Sequence, residues 1–372
     1  MATGDAVNLP PAPRTHVDFA TMTTLAVGGP AAYLFDVLTL EELGEALHFA
    51  ATEELPVLPF GGGSNLLVAD AGFGGVAVRM CDFRIAVERD GGRAFLRVGA
   101  GVEWDELVAF AVTEGYAGIE CMSGIPGRVG AAPIQNIGAY GQEIGPRIRA
   151  VDVMEAASGK MATIRANDCG FAYRTSRFKQ DWAGKVVVTA VTMELDLARD
   201  GVANYPELQR ALDVNGPTER VPIAELRDAV LDLRRRKSMV WDARDRNRRS
   251  AGSFFLNPVV DAEALASLRE RLDRLGLEGM PAYAQDDGRT KLSAAWLIER
   301  AGFERGFAFG KAGLSSRHTL AIVNRGDAKS ADIIALAAMI RRTVQNTFSV
   351  ALTPEPALVG FDDATRSLLG CS

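Results

Sequence analysis

Two stretches of nearly bare backbone constrain this chain more than any other feature. One is Pro59-Phe60-Gly61-Gly62-Gly63-Ser64-Asn65; the other is the segment 123–141, SGIPGRVGAAPIQNIGAYG. Each follows or lies among strand-forming residues, and neither carries side chains that could fill a core. Glycine permits positive φ angles and lets another group approach the backbone closely. Successive amides in such a stretch form a nest for an anion, commonly a phosphate or pyrophosphate. The first loop lacks the Gly-Lys-Ser/Thr ending of a P-loop and the GxGxxG spacing of a dinucleotide turn. Gly99-Ala100-Gly101-Val102-Glu103-Trp104 comes nearest to that spacing, but Trp104 stands where the third glycine belongs. It reads as a strand-to-helix turn. Alone, GGGSN is equally consistent with a tight turn. The second stretch, with glycines at 124, 127, 130, 138 and 141, is too long and too bare for one turn.

The 372 residues suggest two or three domains, because single cores seldom grow past roughly 250–300 residues. Residues 1–20 read as a loose, proline-containing arm. Thr39 and Glu42 form a capping box that predicts a helix over about 40–53, ended by Pro56. Val57–Phe60 is a short buried strand leading into GGGSN, and 66–68 and 76–78 continue a sheet. A hairpin is expected over 84–98 around Asp90-Gly91-Gly92, then a helix over about 103–114 stopped by Gly115. Strands follow near 149–154, 161–165 and 186–195, so the front of the chain reads as an α+β module of two small lobes. Residues 199–250 are charged and irregular, with a helix at about 222–237. After Ser253 the pattern becomes regular α/β, and a second domain is placed at about 220–350. Its expected elements are helices 261–275 and 293–301, a strand Thr319–Val323, and a helix capped by Ser330 that buries Ile333, Ala337, Ile340 and Val344.

Composition removes several function classes. A net charge of −6 argues against general nucleic-acid binding. The four cysteines (81, 121, 169, 371) and three histidines (16, 48, 318) are scattered, so no metal site, disulfide frame or Ser-His-Asp triad is expected. No run reaches the roughly 18 apolar residues of a membrane span, and the first twenty residues carry no signal-peptide core. A cytoplasmic, monomeric protein with no membrane partner is expected.

Several polar residues have two readings. Ser253, in Gly252-Ser253-Phe254-Phe255, has no histidine base nearby and by itself reads as a turn residue. Glu355, between Pro354 and Pro356, reads as a loop carboxylate kept out of a helix. Tyr173-Arg174 ends a strand-like run; Arg174 could form a surface ion pair or grip a carboxylate bidentately. Residues 234–249, RRRKSMVWDARDRNRR, hold eight basic and two acidic residues, either a solvated face or a diphosphate site.

The order of these motifs resembles one family. GGGSN, GIPG-x-VG-x-x-P-x-QN-x-GAYG, Phe171-Ala172-Tyr173-Arg174-x-Ser176-x-Phe178-Lys179, Ala251-Gly252-Ser253-Phe254-Phe255-x-Asn257-Pro258 and Pro354-Glu355 are similar to those of the UDP-N-acetylenolpyruvoylglucosamine reductases, flavoenzymes of bacterial peptidoglycan precursor synthesis. The resemblance runs from roughly Thr23 to Gly360. It implies a two-lobed FAD-binding domain of the vanillyl-alcohol-oxidase/PCMH type over 21–200 (lobes about 21–80 and 81–200). It further implies a substrate-covering linker at 201–220, a C-terminal α/β substrate-binding domain at 221–350, and a tail, 351–372, returning to the FAD lobe. The cofactor it implies is non-covalent FAD, held by Gly61, Gly62, Gly63, Ser64 and Asn65 and by Gly124, Ile125, Pro126, Gly127, Gly130, Asn136, Gly138, Ala139 and Tyr140. NADPH would be the co-substrate and a UDP-sugar enolpyruvyl ether the substrate. In that scheme Ser253 is the proton donor, Glu355 and Arg174 stabilise the enol or enolate beside Tyr173, and Lys237 or one of Arg234–Arg236 grips the diphosphate. Tyr205, Asn257 and Gln285 would contact the sugar nucleotide. Pro356-Ala357 depart from a familiar Val-Arg pair, so one flavin-side contact would be missing. Two rivals stand beside this reading: an FAD-dependent oxidase of the same fold, and a non-catalytic nucleotide-binding protein.

Overall fold

The computed structural model describes residues 12–216 and 218–371, which form two compact units. The first comprises the chain up to Val17, then 31–62 and 73–230; the second comprises 18–30, 63–72 and 231–372.

The first unit holds two large sheets beside shorter two-stranded pairings. In one, strands Arg14–Asp18, Pro30–Val37, Phe73–Met80 and Val57–Phe60 lie side by side in that order. The strands at 30–37 and 57–60 both run parallel to 73–80. Parallel neighbours need a crossover, and helix α1 (Leu40–Thr52) supplies it from the expected capping box, Glu42 N–H donating to Thr39 Oγ1 at 3.1 Å. Its Leu43, Ala46 and Leu47 pack on Phe35, Val37, Val76 and Val78. The other sheet is antiparallel, with strands in the order Met161–Arg165, Ile148–Glu155, Val186–Leu197, Arg93–Gly99 and Ile85–Asp90. Helix α2 (Trp104–Glu114) covers it, burying Trp104, Leu107, Val108 and Ala111 against Leu96, Val151, Val191 and Met193, and ends at Gly115 with φ +76°. Residues 99–103 form the expected strand-to-helix turn; a side chain on Gly99 or Gly101 would collide with residues 81–82.

Residues 199–236 are more regular than their charge suggests. Asp200–Val202 pairs with Arg220–Pro222, Pro206 opens the short helix α3 (Pro206–Leu212), and α4 (Ile223–Arg236) follows. The helix expected at about 222–237 is α4, which buries Ile223, Leu226, Val230 and Leu233, whereas the short pairing and α3 bury few residues and leave no hydrophobic periodicity to read.

In the second unit, helices α5 (Ala262–Leu275), α6 (Ala294–Arg300), α7 (Ser330–Phe348) and α8 (Asp363–Leu368) surround small sheets. Leu297, Ile298, Ile333, Ile340, Val344 and Phe348 form the core with Phe254 and Phe255. Early segments of the chain are stitched into this unit. Strand Ala357–Val359 runs parallel to Leu66–Val68, and Asn324 Nδ2 donates to the carbonyls of Leu25 and Ala26, both at 3.1 Å.

Four expectations change. Within the loose arm expected over 1–20, residues 14–18 are an edge strand tied by the Arg14–Asp36 ion pair and Phe19–Thr21 a short 3-10 turn that buries Phe19; residues 1–11 lie outside the described residues. The expected strand Thr319–Val323 is Ile322–Asn324, because Ala321 N–H closes a turn on His318 O. Ser330 does not cap α7: Lys329 is the N-cap residue, while the Ser330 hydroxyl donates to Val68 O. The leucine spacing of helix 261–275 sets Leu265, Leu268, Leu272 and Leu275 on one apolar face; Leu275 is instead exposed, where α5 stops at Gly276, φ +65°. The compact units also divide the chain differently from the expected domains. Residues 18–30, 63–72 and 351–371 group with the second unit through the backbone pairings just described, and α4 crosses the boundary at Val230.

Candidate active site

The two glycine-rich stretches meet inside the first unit. A Cβ on Gly62 would lie 3.2 Å from Gly127 Cα, and one on Gly61 would lie 3.3 Å from Arg128 Cβ. Backbone therefore rests on backbone, and side chains here would fill the cradle. Gly63 begins the second unit's share of the loop with φ +64°, where a Cβ would lie 2.1 Å from Met22 O. Only glycine tolerates that place.

The start of α2 holds the second stretch. Trp104 N–H donates to Gly127 O at 2.8 Å, and the Trp104 indole donates to Met122 O at 3.0 Å. Glu103 pairs with Arg128 at 3.0 Å, and Asp105 Oδ1 accepts from Gly124 N–H at 2.6 Å. The Gly130 amide donates to Ala100 O, and a Cβ on Gly130 would strike Ala100. Gly124 and Gly130 thus give these amides to the protein's own scaffold and shape the loop. Sequence reasoning missed Asp105; its one signal was an acid in the first turn of a helix, a common and uninformative position.

Farther along the same stretch, Asn136 is almost fully buried, 2% exposed, with φ +47°. Its Nδ2 donates to Glu143 Oε2 and Ala172 O, both at 3.1 Å, and its Oδ1 accepts from Gly145 N–H at 2.8 Å. Asn136 is the pin that fixes the turn. Arg174 donates to Asn136 O at 3.4 Å and to Gly138 O, and its guanidinium lies 5.4 Å from the Tyr173 ring centre. Arg174 sits at φ +53°, an unusual conformation for a residue with a side chain. Such strain persists only where the surroundings over-determine it. Tyr140 meets Tyr205, the N-cap residue of α3, edge to face at 5.6 Å.

In the second unit, residues separated widely in sequence become neighbours. Phe255 bridges antiparallel to Pro354; Glu355 N–H donates to Phe254 O at 2.8 Å and Leu256 N–H to Thr353 O at 2.9 Å. On the other side of the same segment, Phe254 N–H donates to Leu320 O at 2.7 Å. Phe254 and Phe255 anchor it in the core, leaving Ser253 half-buried after Gly252, which has φ +70°. This register sets Phe254 opposite Glu355 and Ser253 opposite Pro356, so Ser253 and Glu355 lie one register step apart on paired segments. Asn65 joins them: its Nδ2 donates to Glu355 O at 3.3 Å, and its carbonyl accepts from Ala357 N–H at 3.0 Å.

The remaining candidates differ in their surroundings. Lys237 is half-buried just past α4, where its N–H donates to Arg234 O at 3.1 Å. Arg234 Nη2 donates to Met239 O, Arg235 pairs with Asp232, and Arg235 and Arg236 are exposed. Asn257 Oδ1 accepts the first amide of α6, Ala294 N–H, at 3.0 Å. Gln285 lies on a surface hairpin turn, its Nε2 donating to Tyr283 O and Ala284 O. Asn257 thus has a structural duty as well, and Gln285 in this conformation bonds to its own strand.

Thiol chemistry is suppressed at the two buried cysteines. Burial, with a smaller contribution from Glu120, raises the Cys121 thiol far above its ordinary value. Burial and neighbouring Asp168 push Cys169 up to about 11. Neither offers a thiolate for tethering a flavin. Among the described residues no helix is long and apolar enough to cross a membrane.

The chain is similar to known proteins along nearly all its length. Residues 31–165 match the FAD binding domain, and residues 244–359 match the C-terminal domain of UDP-N-acetylenolpyruvoylglucosamine reductase. A UDP-N-acetylenolpyruvoylglucosamine reductase of Thermobifida fusca is 46% identical over 349 residues, covering 93% of this chain and 97% of that one. One of Saccharopolyspora erythraea is 45% identical over 346 residues, 91% and 94% of the two chains. Among solved structures, UDP-N-acetylenolpyruvylglucosamine reductase from Thermus caldophilus superposes with a TM-score of 0.62 at 27% identity, covering 93% of this chain and 99% of that one.

Proposed function

The chain belongs to the UDP-N-acetylenolpyruvoylglucosamine reductase family, and from that premise we propose how its own residues carry the reaction. It is an FAD-containing, NADPH-dependent oxidoreductase that reduces the enolpyruvyl group of UDP-N-acetylglucosamine enolpyruvate to give UDP-N-acetylmuramate. Its fold is an α+β FAD-binding domain followed by the family's C-terminal substrate domain. Bound FAD would supply the two-electron hydride chemistry between NADPH and the vinyl group.

The bare backbone at Gly61–Gly62 and Gly127 suits a diphosphate, because it offers amides and no competing side chain. Residues 61–65 and 124–140 hold the cofactor, with Asn136 fixing the turn before Gly138, Ala139 and Tyr140. Arg174 pairs with the substrate carboxylate. Hydride addition at the terminal vinyl carbon drives negative charge into that carboxylate, and a guanidinium held by two carbonyls is already oriented to meet it. Tyr173 supports Arg174 through its ring face. The adjoining carbon then needs a proton. Ser253 gives it; a hydroxyl suffices because the acceptor is a reactive enolate and the donor is positioned. Glu355 shares the charge of that enolate. Lys237 grips the diphosphate, which explains a phosphate-seeking residue beside three arginines of which one, Arg234, is turned onto Met239 O. Asn257, through the Nδ2 that its bond to α6 does not use, and Gln285, after a change of rotamer, contact the sugar nucleotide; Tyr205 covers it.

The observation that supports this reading most is the pairing of 254–256 with 353–355, which brings the backbones of Ser253 and Glu355, about a hundred residues apart in sequence, within one register step of each other. The product belongs to peptidoglycan precursor synthesis and hence to the cytoplasm, with the chain acting as a monomer. Purified protein should be yellow, release FAD on heating, and oxidise NADPH in step with the enolpyruvyl sugar nucleotide. Rapid NADPH oxidation without that substrate, using oxygen, would favour the oxidase instead.

A further inference from the structure

One side chain far from every motif reaches the second glycine-rich stretch through an intermediary. Arg227 lies in α4 between Leu226 and Val230, both fully buried. Its Nη1 donates to Asp105 Oδ1 at 2.6 Å and its Nη2 to Asp105 Oδ2 at 2.9 Å, a two-pronged fork. The Arg227 side chain is 15% exposed and that of Asp105 40%, so the pair is partly buried, with the guanidinium on its covered side. Asp105 Oδ1 also accepts from Gly124 N–H at 2.6 Å. Gly124 has φ +71°, and the chain turns there into Ile125-Pro126-Gly127. Arg227, Asp105 and Gly124 all belong to the first unit.

The order of these bonds matters. A lone aspartate could swing among its rotamers and release the Gly124 amide. With both oxygens gripped by a rigid guanidinium, the carboxylate plane is fixed and Oδ1 stays aimed at Gly124. The first turn of α2 also favours the negative charge of Asp105. We propose that Arg227 is a positioning residue for FAD: by fixing Asp105 it sets the Gly124 turn, and so the backbone of 124–127 that lies against Gly61 and Gly62. The proposal rests on the reading that this stretch holds FAD.

The test uses full-length protein stripped of flavin and titrated with FAD, following the quenching of flavin fluorescence. Arg227→Ala should raise the dissociation constant for FAD by about tenfold, the scale on which truncating one partner of a partly buried, bidentate charge pair acts. Arg227→Lys, which keeps the charge but not the fork, should fall between, and serves if the alanine variant does not fold. Asp105→Ala should act like Arg227→Ala, and the double variant should be little worse than either alone, because the two act as one unit. Arg97→Ala, which breaks an exposed pair with Asp152 on the large sheet, should leave FAD affinity unchanged. An unchanged FAD affinity in folded Arg227→Ala and Arg227→Lys, or strictly additive effects of Arg227 and Asp105, would overturn the proposal. A wild-type protein that binds no FAD would instead overturn the reading beneath it.

Discussion

At the scale of single residues, Asn136 pins the second glycine-rich stretch to Glu143 and Gly145, and Arg174 holds it at Asn136 O. Asn136 is conspicuous inside a glycine-rich run, yet only the fold shows it joining Glu143, Ala172 and Gly145. Arg174 was legible as a cation after a strand; its left-handed backbone was not, because nothing local demands it. Lys237 could not be told from Arg234–Arg236 by spacing alone. The C-terminal turn of α4 separates them, bending Arg234 onto Met239 and leaving Arg235 and Arg236 in solvent. Accordingly, Lys237→Ala should raise the KM for the sugar nucleotide about tenfold or more, the loss expected for a charged phosphate contact, while flavin content stays near that of the wild type. Arg235→Ala should change neither. Steady-state kinetics with the flavin absorbance of each variant decides this.

At the scale of elements, legibility follows locality. The capping box of α1, the hairpin at Gly91-Gly92 and the stop at Gly115 are written in a few adjacent residues, and they are where expected. The pairing of 357–359 with 66–68 is written nowhere locally, since two short apolar runs can pair with many partners. The same holds for the bridge between Phe255 and Pro354, which sets the segment of Ser253 beside that of Glu355. The first glycine-rich loop depends on close approach, which gives a sharp expectation. Gly63→Ala forces a side chain into a left-handed residue against Met22 O, so it should destabilise the protein by at least about 2 kcal/mol in denaturant titration. Gly62→Val, pressed on Gly127, should lower flavin content before it lowers the melting temperature of the flavin-free protein. Equal flavin content in that variant would remove the loop from the cofactor site.

At the scale of the whole molecule, the chain's division is the least legible feature. Residues 18–30 and 63–72 read as parts of the front lobe, but Asn324, buried at 3% exposed, binds Leu25 and Ala26 with its amide and accepts from Gly326 and Ala328. Asn324→Ala leaves buried carbonyls and amides unpaired and should cost about 1–3 kcal/mol by the same denaturant assay. Acid acts on the front sheet through Asp36. Burial would raise its carboxyl, but the bonds and charges of Arg79 and Arg14 outweigh this and hold it below its ordinary value of 3.8. Its folded pKa is depressed, so its contribution is full above the unfolded value and is lost as pH falls below about 4. Asp36→Asn should therefore flatten the fall in stability below that pH, as measured by melting temperature against pH.

Separate stopped-flow half-reactions of Ser253→Ala test the chemistry most directly. Ser253 acts only once hydride has moved to the substrate, so reduction of the flavin by NADPH should proceed at the wild-type rate with full FAD content. Reoxidation by the enolpyruvyl sugar nucleotide should slow by about 10²–10⁴-fold, the usual scale for losing a positioned general acid. Equal slowing of both halves would make Ser253 a structural residue, and unchanged reoxidation would contradict its role as the proton donor.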